Sequence, residues 1–138
     1  MNVNWEKAEQ GIIALLVGLI PAFVAYLMVT VATFAESPPA WVFYVGVPVF
    51  GYILYQETST RGKIGSMFFW LAIETLLTPL MFVLYTFAFS SQQAMTGAGQ
   101  AGAAIGGAIL AGGGFVIGIP LAGVFYLLSR KISPTSAE

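Results

Sequence analysis

Four apolar stretches, separated by short polar connections, run along the chain. They cover residues 11–34, 38–55, 66–89 and 105–129. A helix needs roughly 20 apolar residues to cross the hydrocarbon core of a bilayer. Because backbone groups find no water at that depth, each crossing has to be helical. The pattern therefore predicts an all-α fold, a transmembrane four-helix bundle that forms one domain.

The second stretch, 38–55, is the shortest and contains Gly46, Pro48 and Gly51. A re-entrant segment is therefore an alternative to a full crossing. The basic residues favour the crossing, since four crossings leave all 5 Lys and Arg residues on one side of the membrane. The positive-inside rule assigns that side to the cytoplasm, so we expect a cytoplasmic N-terminus and a cytoplasmic C-terminus.

Composition agrees with a lipid-facing surface. Hydrophobic residues make up 58% of the chain and charged residues 8%, whereas a soluble domain carries about 25% charged residues. We expect a multi-pass protein of the cell membrane, with the lipid bilayer as its first partner. The first stretch is predicted as a span and not as a signal peptide, because Glu6 and Glu9 precede it and it exceeds the usual apolar length of about 7–15 residues.

The chain has no His and no Cys. This removes the commonest general base near neutral pH and the commonest metal ligand, together with thiolate chemistry. No paired carboxylates and no nucleophile with a base are visible, so we expect no enzyme, no catalytic residue, no metal and no cofactor. The net charge of −1 gives no reason to expect nucleic acid as a partner.

Each predicted span has a proline in its interior: Pro21, Pro48, Pro79 and Pro120. Proline removes a backbone donor and kinks a helix. Hinged helices around a transport path are one interpretation. Proline is also common in membrane helices, and that ordinary explanation is the more economical one.

The last span carries a face of small residues. Its members follow spacings of 4, 4, 3, 4 and 4 and so share one side of a helix: Ala103, Gly107, Ala111, Gly114, Gly118 and Ala122. Small residues let a second helix approach closely in lipid. The face is predicted to pack either against another helix of the same chain or against a second protein.

The run Gly112-Gly113-Gly114 weakens this helix locally. A bend or opening at these glycines is one expectation. Residues 109–128 suffice for one crossing, so an outer loop with partial helix over residues 90–108 is an alternative.

Glu74 is the one ionisable residue predicted to lie within the hydrocarbon. An isolated charge there is costly, and no basic residue is predicted at its depth, so the protonated carboxyl is favoured. With Glu74, the neighbouring Thr75, Thr78 and Tyr85 are candidates for an ion, proton or polar intramembrane site. A protonated carboxyl that joins two helices is the structural alternative, and a head-group or small-ligand site is a third.

Taken together, these patterns indicate a non-enzymatic structural, assembly or interaction subunit. It would pack through its Gly/Ala-rich helix, either as a homo-oligomer or with a larger membrane protein. The rival hypothesis is a small proton- or cation-linked transporter or channel that uses Glu74. Few polar residues are predicted within the membrane, which ranks that hypothesis second.

Overall fold

The computed structural model describes residues 5–33, 39–90 and 97–133, and every described element is helical. Helix α1 spans Trp5–Thr33, α2 spans Ala40–Tyr55, α3 spans Thr60–Ser90 and α4 spans Gly97–Ile132. Three of these helices, α1, α3 and α4, are long and apolar enough to cross a membrane. The all-α prediction is therefore confirmed for the described residues.

The helices differ in length. Helix α2 has 16 residues, which at 1.5 Å per residue gives about 24 Å, less than the roughly 30 Å of a bilayer core. Helix α4 has 36 residues and continues without interruption through Gly112-Gly113-Gly114. It begins at Gly97, so most of the alternative outer loop over residues 90–108 is helix.

The helices form an open row in the order α2, α1, α3, α4. Helix α1 packs on α2 along one side and on α3 along another, and α3 packs on α4. Within the described residues, the backbone of α4 comes close to α3 alone, and α2 meets α3 only slightly. Helices adjacent in the chain are antiparallel hairpins, so the central pair, α1 and α3, runs parallel.

Small residues bring α1 and α2 into backbone contact. A Cβ atom at Gly18 would lie 2.9 Å from the backbone nitrogen of Gly51, and one at Gly46 would lie 3.1 Å from the Cβ of Ala22. Gly18 and Ala22 are four residues apart and share a helix face, which is the small-xxx-small pattern of close membrane-helix pairs. This contact fixes the first hairpin.

The core lies where α1, α2 and α3 meet. Ala14, Leu54, Met67 and Leu71 form a buried cluster. On the α4 side, the ring centroid of Phe125 lies 6.0 Å from that of Phe68, and Phe125 packs against the same cluster. This cluster lies in the half of the helices nearest the α2–α3 connection, whereas Phe82, also buried, lies in the other half of α3.

Large apolar side chains remain exposed on every helix, among them Leu16, Tyr52, Leu84 and Val116. A soluble monomer rarely exposes continuous apolar surface of this extent. Together with the three long apolar helices, this identifies a membrane protein whose outer surface faces lipid. The basic residues of the described chain lie near one end of the helices along their axes, the end at which α1 and α3 begin and α2 and α4 finish. We call this end of the row the basic end.

Candidate functional site: the buried carboxyl of Glu74

Glu74 lies in the middle of α3 and is 5% exposed. Both of its carboxyl oxygens are buried and have no hydrogen-bond partner within the described residues. Buried polar atoms in proteins are nearly always hydrogen-bonded, so each unpartnered one calls for an explanation. Within the described residues, the fold therefore supplies no hydrogen-bond partner for this carboxyl.

Contacts on either side of Glu74 define its level in the bundle. Toward the core, Leu71 belongs to the same buried cluster as Ala14 of α1, and Val17 of α1 packs against that cluster. Away from the core, Thr78 borders a shallow groove of about 190 Å³ whose other walls are Val24, Leu27 and Met28 of α1. Along α3, Glu74 lies between Leu71 and Thr78. It therefore lies at about the depth of Pro21 in α1, whose side chain is fully buried.

Proline at this level leaves a backbone acceptor free in α1. Pro21 has no N–H, so the carbonyl of Val17, four residues earlier, lacks its helical donor. An orphan carbonyl of α1 and the unpartnered carboxyl of α3 therefore occur near the same depth of the parallel helix pair.

Two of the predicted supporting residues use their hydroxyls differently from the expectation. The Thr75 hydroxyl donates to the carbonyl oxygen of Leu71 at 2.6 Å, and the Thr78 hydroxyl donates to the backbone carbonyl oxygen of Glu74 at 2.8 Å. Both bonds stay within α3, as threonine in membrane helices often does. The side chain of Tyr85 lies outside the described residues. The structure therefore brings Thr78 to the same side of α3 as Glu74, while neither threonine donates to its carboxyl.

Thr75 belongs to the contact between α3 and α4. Because Pro79 lacks an N–H, the carbonyl of Thr75 has no helical donor. Gly118 of α4 sits against this carbonyl, and a Cβ atom there would lie 3.2 Å from its oxygen. A glycine Cα–H approaching a free carbonyl is a recurring weak contact between membrane helices.

The described part of the predicted small-residue face also lies against α3. A Cβ atom at Gly114 would lie 3.1 Å from the Cβ of Pro79, and Ala122 is buried. The remaining members, Ala103, Gly107 and Ala111, belong to α4, but their surroundings fall outside the described residues.

A polar cluster at the basic end of the row was not predicted from the sequence. Lys63 lies in the first turns of α3 and is 1% exposed. Its ammonium group donates a hydrogen bond to the backbone carbonyl oxygen of Glu57. The Glu57 carboxylate accepts a hydrogen bond of 2.7 Å from the hydroxyl of Ser66. The helix begins here because the Ser59 hydroxyl accepts the backbone N–H of Gly62 at 2.9 Å, as an N-cap does.

A periodic signal for the burial of Lys63 was present in the sequence. Lys63, Met67 and Leu71 follow spacings of four and so share one face of α3. The ammonium group cannot pair with Glu74, because the eleven intervening residue steps correspond to about 16 Å along the helix axis.

The chain matches no protein-family model, no curated protein and no solved structure.

Proposed function

We propose that the chain is a non-enzymatic subunit of the cell membrane that assembles, through the outer side of α4, with a second copy of itself or with a larger membrane protein. Both termini are placed in the cytoplasm on the distribution of Lys and Arg. The observation that carries the proposal is the position of α4, whose backbone, within the described residues, comes close to that of α3 alone.

Glycines of α4 support this assignment. A glycine inside a helix costs about 1 kcal/mol relative to alanine. Gly114 and Gly118 are accounted for by their approach to α3, whereas Cβ atoms at Gly112, Gly113 and Gly123 would meet no atom within 4 Å in the described part of the chain. A second helix approaching these positions from another molecule would account for them.

The outer side of α4 has a helical register. Gly112, Val116, Ile119 and Gly123 follow spacings of 4, 3 and 4 and therefore share one face, which we call the outer face. All four are exposed. The face combines glycines that admit a backbone with branched side chains that fill the space beside them, which suits close helix packing in lipid.

Disulfide crosslinking tests the proposal directly, because the chain has no Cys of its own. Val116 is 75% exposed on the outer face, and Leu16 of α1 is 60% exposed. Under mild oxidation in native membranes, we expect Val116→Cys to form a disulfide-linked dimer with a second copy or a disulfide with a cysteine of the partner protein, and Leu16→Cys, the matched control, to form neither. Equal crosslinking of the two variants would show random collision in the bilayer and would contradict the proposal.

A pair of glycine variants separates assembly from folding. Gly123→Leu adds a side chain where the described chain leaves open space, whereas Gly118→Leu drives one into the Thr75 carbonyl. After mild-detergent purification, we expect Gly123→Leu to remain folded and lose its partner, and Gly118→Leu to lose thermal stability. Retention of the partner by Gly123→Leu at unchanged stoichiometry would remove the outer face from the interface.

A proton- or cation-linked transport role is the second candidate, favoured by one observation. Glu74 is 5% exposed, and both of its carboxyl oxygens are unpartnered in the described chain. Such a group can take up and release a proton when a conformational change admits water or an ion. The prolines near its level, Pro21 and Pro79, are sites at which α1 and α3 can bend.

Two measurements test the transport candidate. A hydrophobic carbodiimide reacts with protonated carboxyls inside the membrane, so it should modify Glu74 and leave Glu57 unmodified, as read by peptide mass spectrometry. In liposomes, Glu74→Gln should abolish a proton or cation flux that the matched control Glu57→Gln retains. Equal flux in all three proteins would remove Glu74 from any transport mechanism.

A further inference from the structure

A cavity of about 270 Å³ lies between the last turns of α1 and the start of α2, at the end of the helices opposite the basic end. Its walls are four aromatic side chains and one methyl group: Phe23, Tyr26, Phe43, Tyr44 and Ala40. Among the described residues, no branched aliphatic side chain lines it. The groove beside Thr78 is different, since Val24, Leu27 and Met28 form its walls.

The rings of this cavity face in several directions. Phe23 and Tyr26 are stacked, with centroids 6.2 Å apart and an interplanar angle of 29°. Phe43 stands nearly perpendicular to Phe23, at 88° with centroids 6.5 Å apart, and at 65° to Tyr44, with centroids 6.0 Å apart. Rings in these different orientations present both faces and edges to the open groove that they line, so we call the arrangement a partial aromatic cage.

An aromatic face carries the negative part of the ring quadrupole and attracts cations. Quaternary ammonium groups suit such cages best, because their methyl groups pack on the rings and their charge needs no hydrogen-bond acceptor. We propose that this aromatic cage binds the quaternary ammonium of a choline lipid headgroup.

The short helix α2 explains why a lipid headgroup reaches this level. Helix α2 is about 24 Å long and lies beside a bilayer core of about 30 Å, a mismatch of about 6 Å. Lipids accommodate a short hydrophobic segment by local thinning, which draws their headgroups inward. Trp41 and Tyr44, near the start of α2, are 66% and 73% exposed, so the cage is open on its lipid side.

Charge distribution selects a zwitterionic over an anionic headgroup. The described basic residues, which attract anionic lipids, lie at the opposite end of the helices, the basic end. A choline headgroup therefore meets no competing cation beside the cage in the described structure.

Native mass spectrometry of the intact protein, released from mixed micelles, measures the preference. The probes are phosphatidylcholine, phosphatidylethanolamine and phosphatidylglycerol with identical acyl chains. We expect about tenfold tighter binding of phosphatidylcholine than of phosphatidylethanolamine, in line with the strength of a desolvated cation–π contact. Phe43→Leu should remove this preference, and Phe50→Leu, a matched control on the same helix that pairs with Trp70 outside the cage, should retain it.

Three results would overturn the proposal. Equal binding of the choline and ethanolamine lipids would show that methylated ammonium is not recognised. A choline preference kept in both Phe43→Leu and Tyr26→Leu would place recognition elsewhere in the molecule. Binding of tetramethylammonium without any choline-lipid preference would assign the cage to a free cation. Retained helical circular dichroism in each variant confirms that losses of binding do not reflect unfolding.

Discussion

Replacing Gly18 by alanine would insert one methyl group between the backbones of α1 and α2. The new Cβ atom would lie 2.9 Å from the backbone nitrogen of Gly51 and 3.3 Å from its Cα, where ordinary van der Waals contact begins at 3.4 Å. Relief therefore requires a displacement of about 0.5 Å. Because the obstructing atoms are backbone, no side-chain rotation can supply it, and the whole helix has to move.

Two opposing contributions decide the effect of Gly18→Ala. Alanine favours the helix over glycine by about 1 kcal/mol. Overpacking of a closely packed interface destabilises by about 1–3 kcal/mol. We therefore expect Gly18→Ala to lower the free energy of unfolding by about 0–2 kcal/mol. At Gly112, where a Cβ atom meets nothing within 4 Å among described residues, only the first contribution acts, and Gly112→Ala should raise the stability of the isolated chain by about 1 kcal/mol.

The assay is the thermal unfolding of the purified variants in the same mild detergent, followed by tryptophan fluorescence. The prediction is the order Gly112→Ala above wild type, and wild type equal to or above Gly18→Ala, with a separation of about 1–3 kcal/mol between the two variants. If Gly18→Ala were as stable as Gly112→Ala, α1 and α2 would not be in backbone contact, and the packing argument for the first hairpin would fail.

Three further predictions concern α3. Ser59→Ala removes the N-cap acceptor of the Gly62 N–H and should cost about 1 kcal/mol, measured by detergent unfolding against Ser59→Asp, which restores an acceptor. Thr78→Val removes a hydrogen bond to a backbone carbonyl of the same helix and should change the free energy of unfolding by less than about 1 kcal/mol. Carbodiimide modification of Glu74 should stay unchanged in this variant, and a loss of modification would show that the hydroxyl does support the carboxyl. Lys63→Ala should lower the free energy of unfolding by at least about 2 kcal/mol because it empties a fully buried site. Lys63→Met, which keeps the aliphatic stem, should lose less than half as much stability. Equal losses in the two variants would assign the effect to the ammonium group.

Much of the fold could be predicted from the sequence because in lipid the hydrophobic pattern and the backbone requirement for helix leave few alternatives. The stretch 38–55 illustrates the limit of that argument. The charge distribution favours a complete crossing, yet α2 is 16 residues long and is not among the three helices long enough to span by length alone. Composition identifies an apolar helix, but its depth depends on its neighbours and on the lipid.

Packing partners were less accessible to sequence reasoning. The density of glycine in α4 drew the prediction of a small-residue face there, whereas the backbone contact of the first hairpin depends on Gly18, Ala22 and Gly51, which are isolated in the sequence. A few small residues in register are sufficient for close approach, and their partner helix cannot be read from one helix alone.

For the candidate site, periodicity placed Glu74 and Thr78 on one side of α3, and the structure agrees in burying Glu74. It did not reveal that the threonine hydroxyls bond to their own helix. A hydroxyl four residues after a carbonyl always has that local acceptor available, and the local bond forms without ordering a second helix.

The open row of helices has a consequence for biogenesis. Its two largest contacts join helices that are neighbours in the chain, α1 with α2 and α3 with α4, so most native contacts are local in sequence and form quickly. Each hairpin can close as soon as the ribosome has delivered it to the membrane. We therefore expect the α1–α3 seam, which joins two finished hairpins, to be the last contact that forms in the maturing protein.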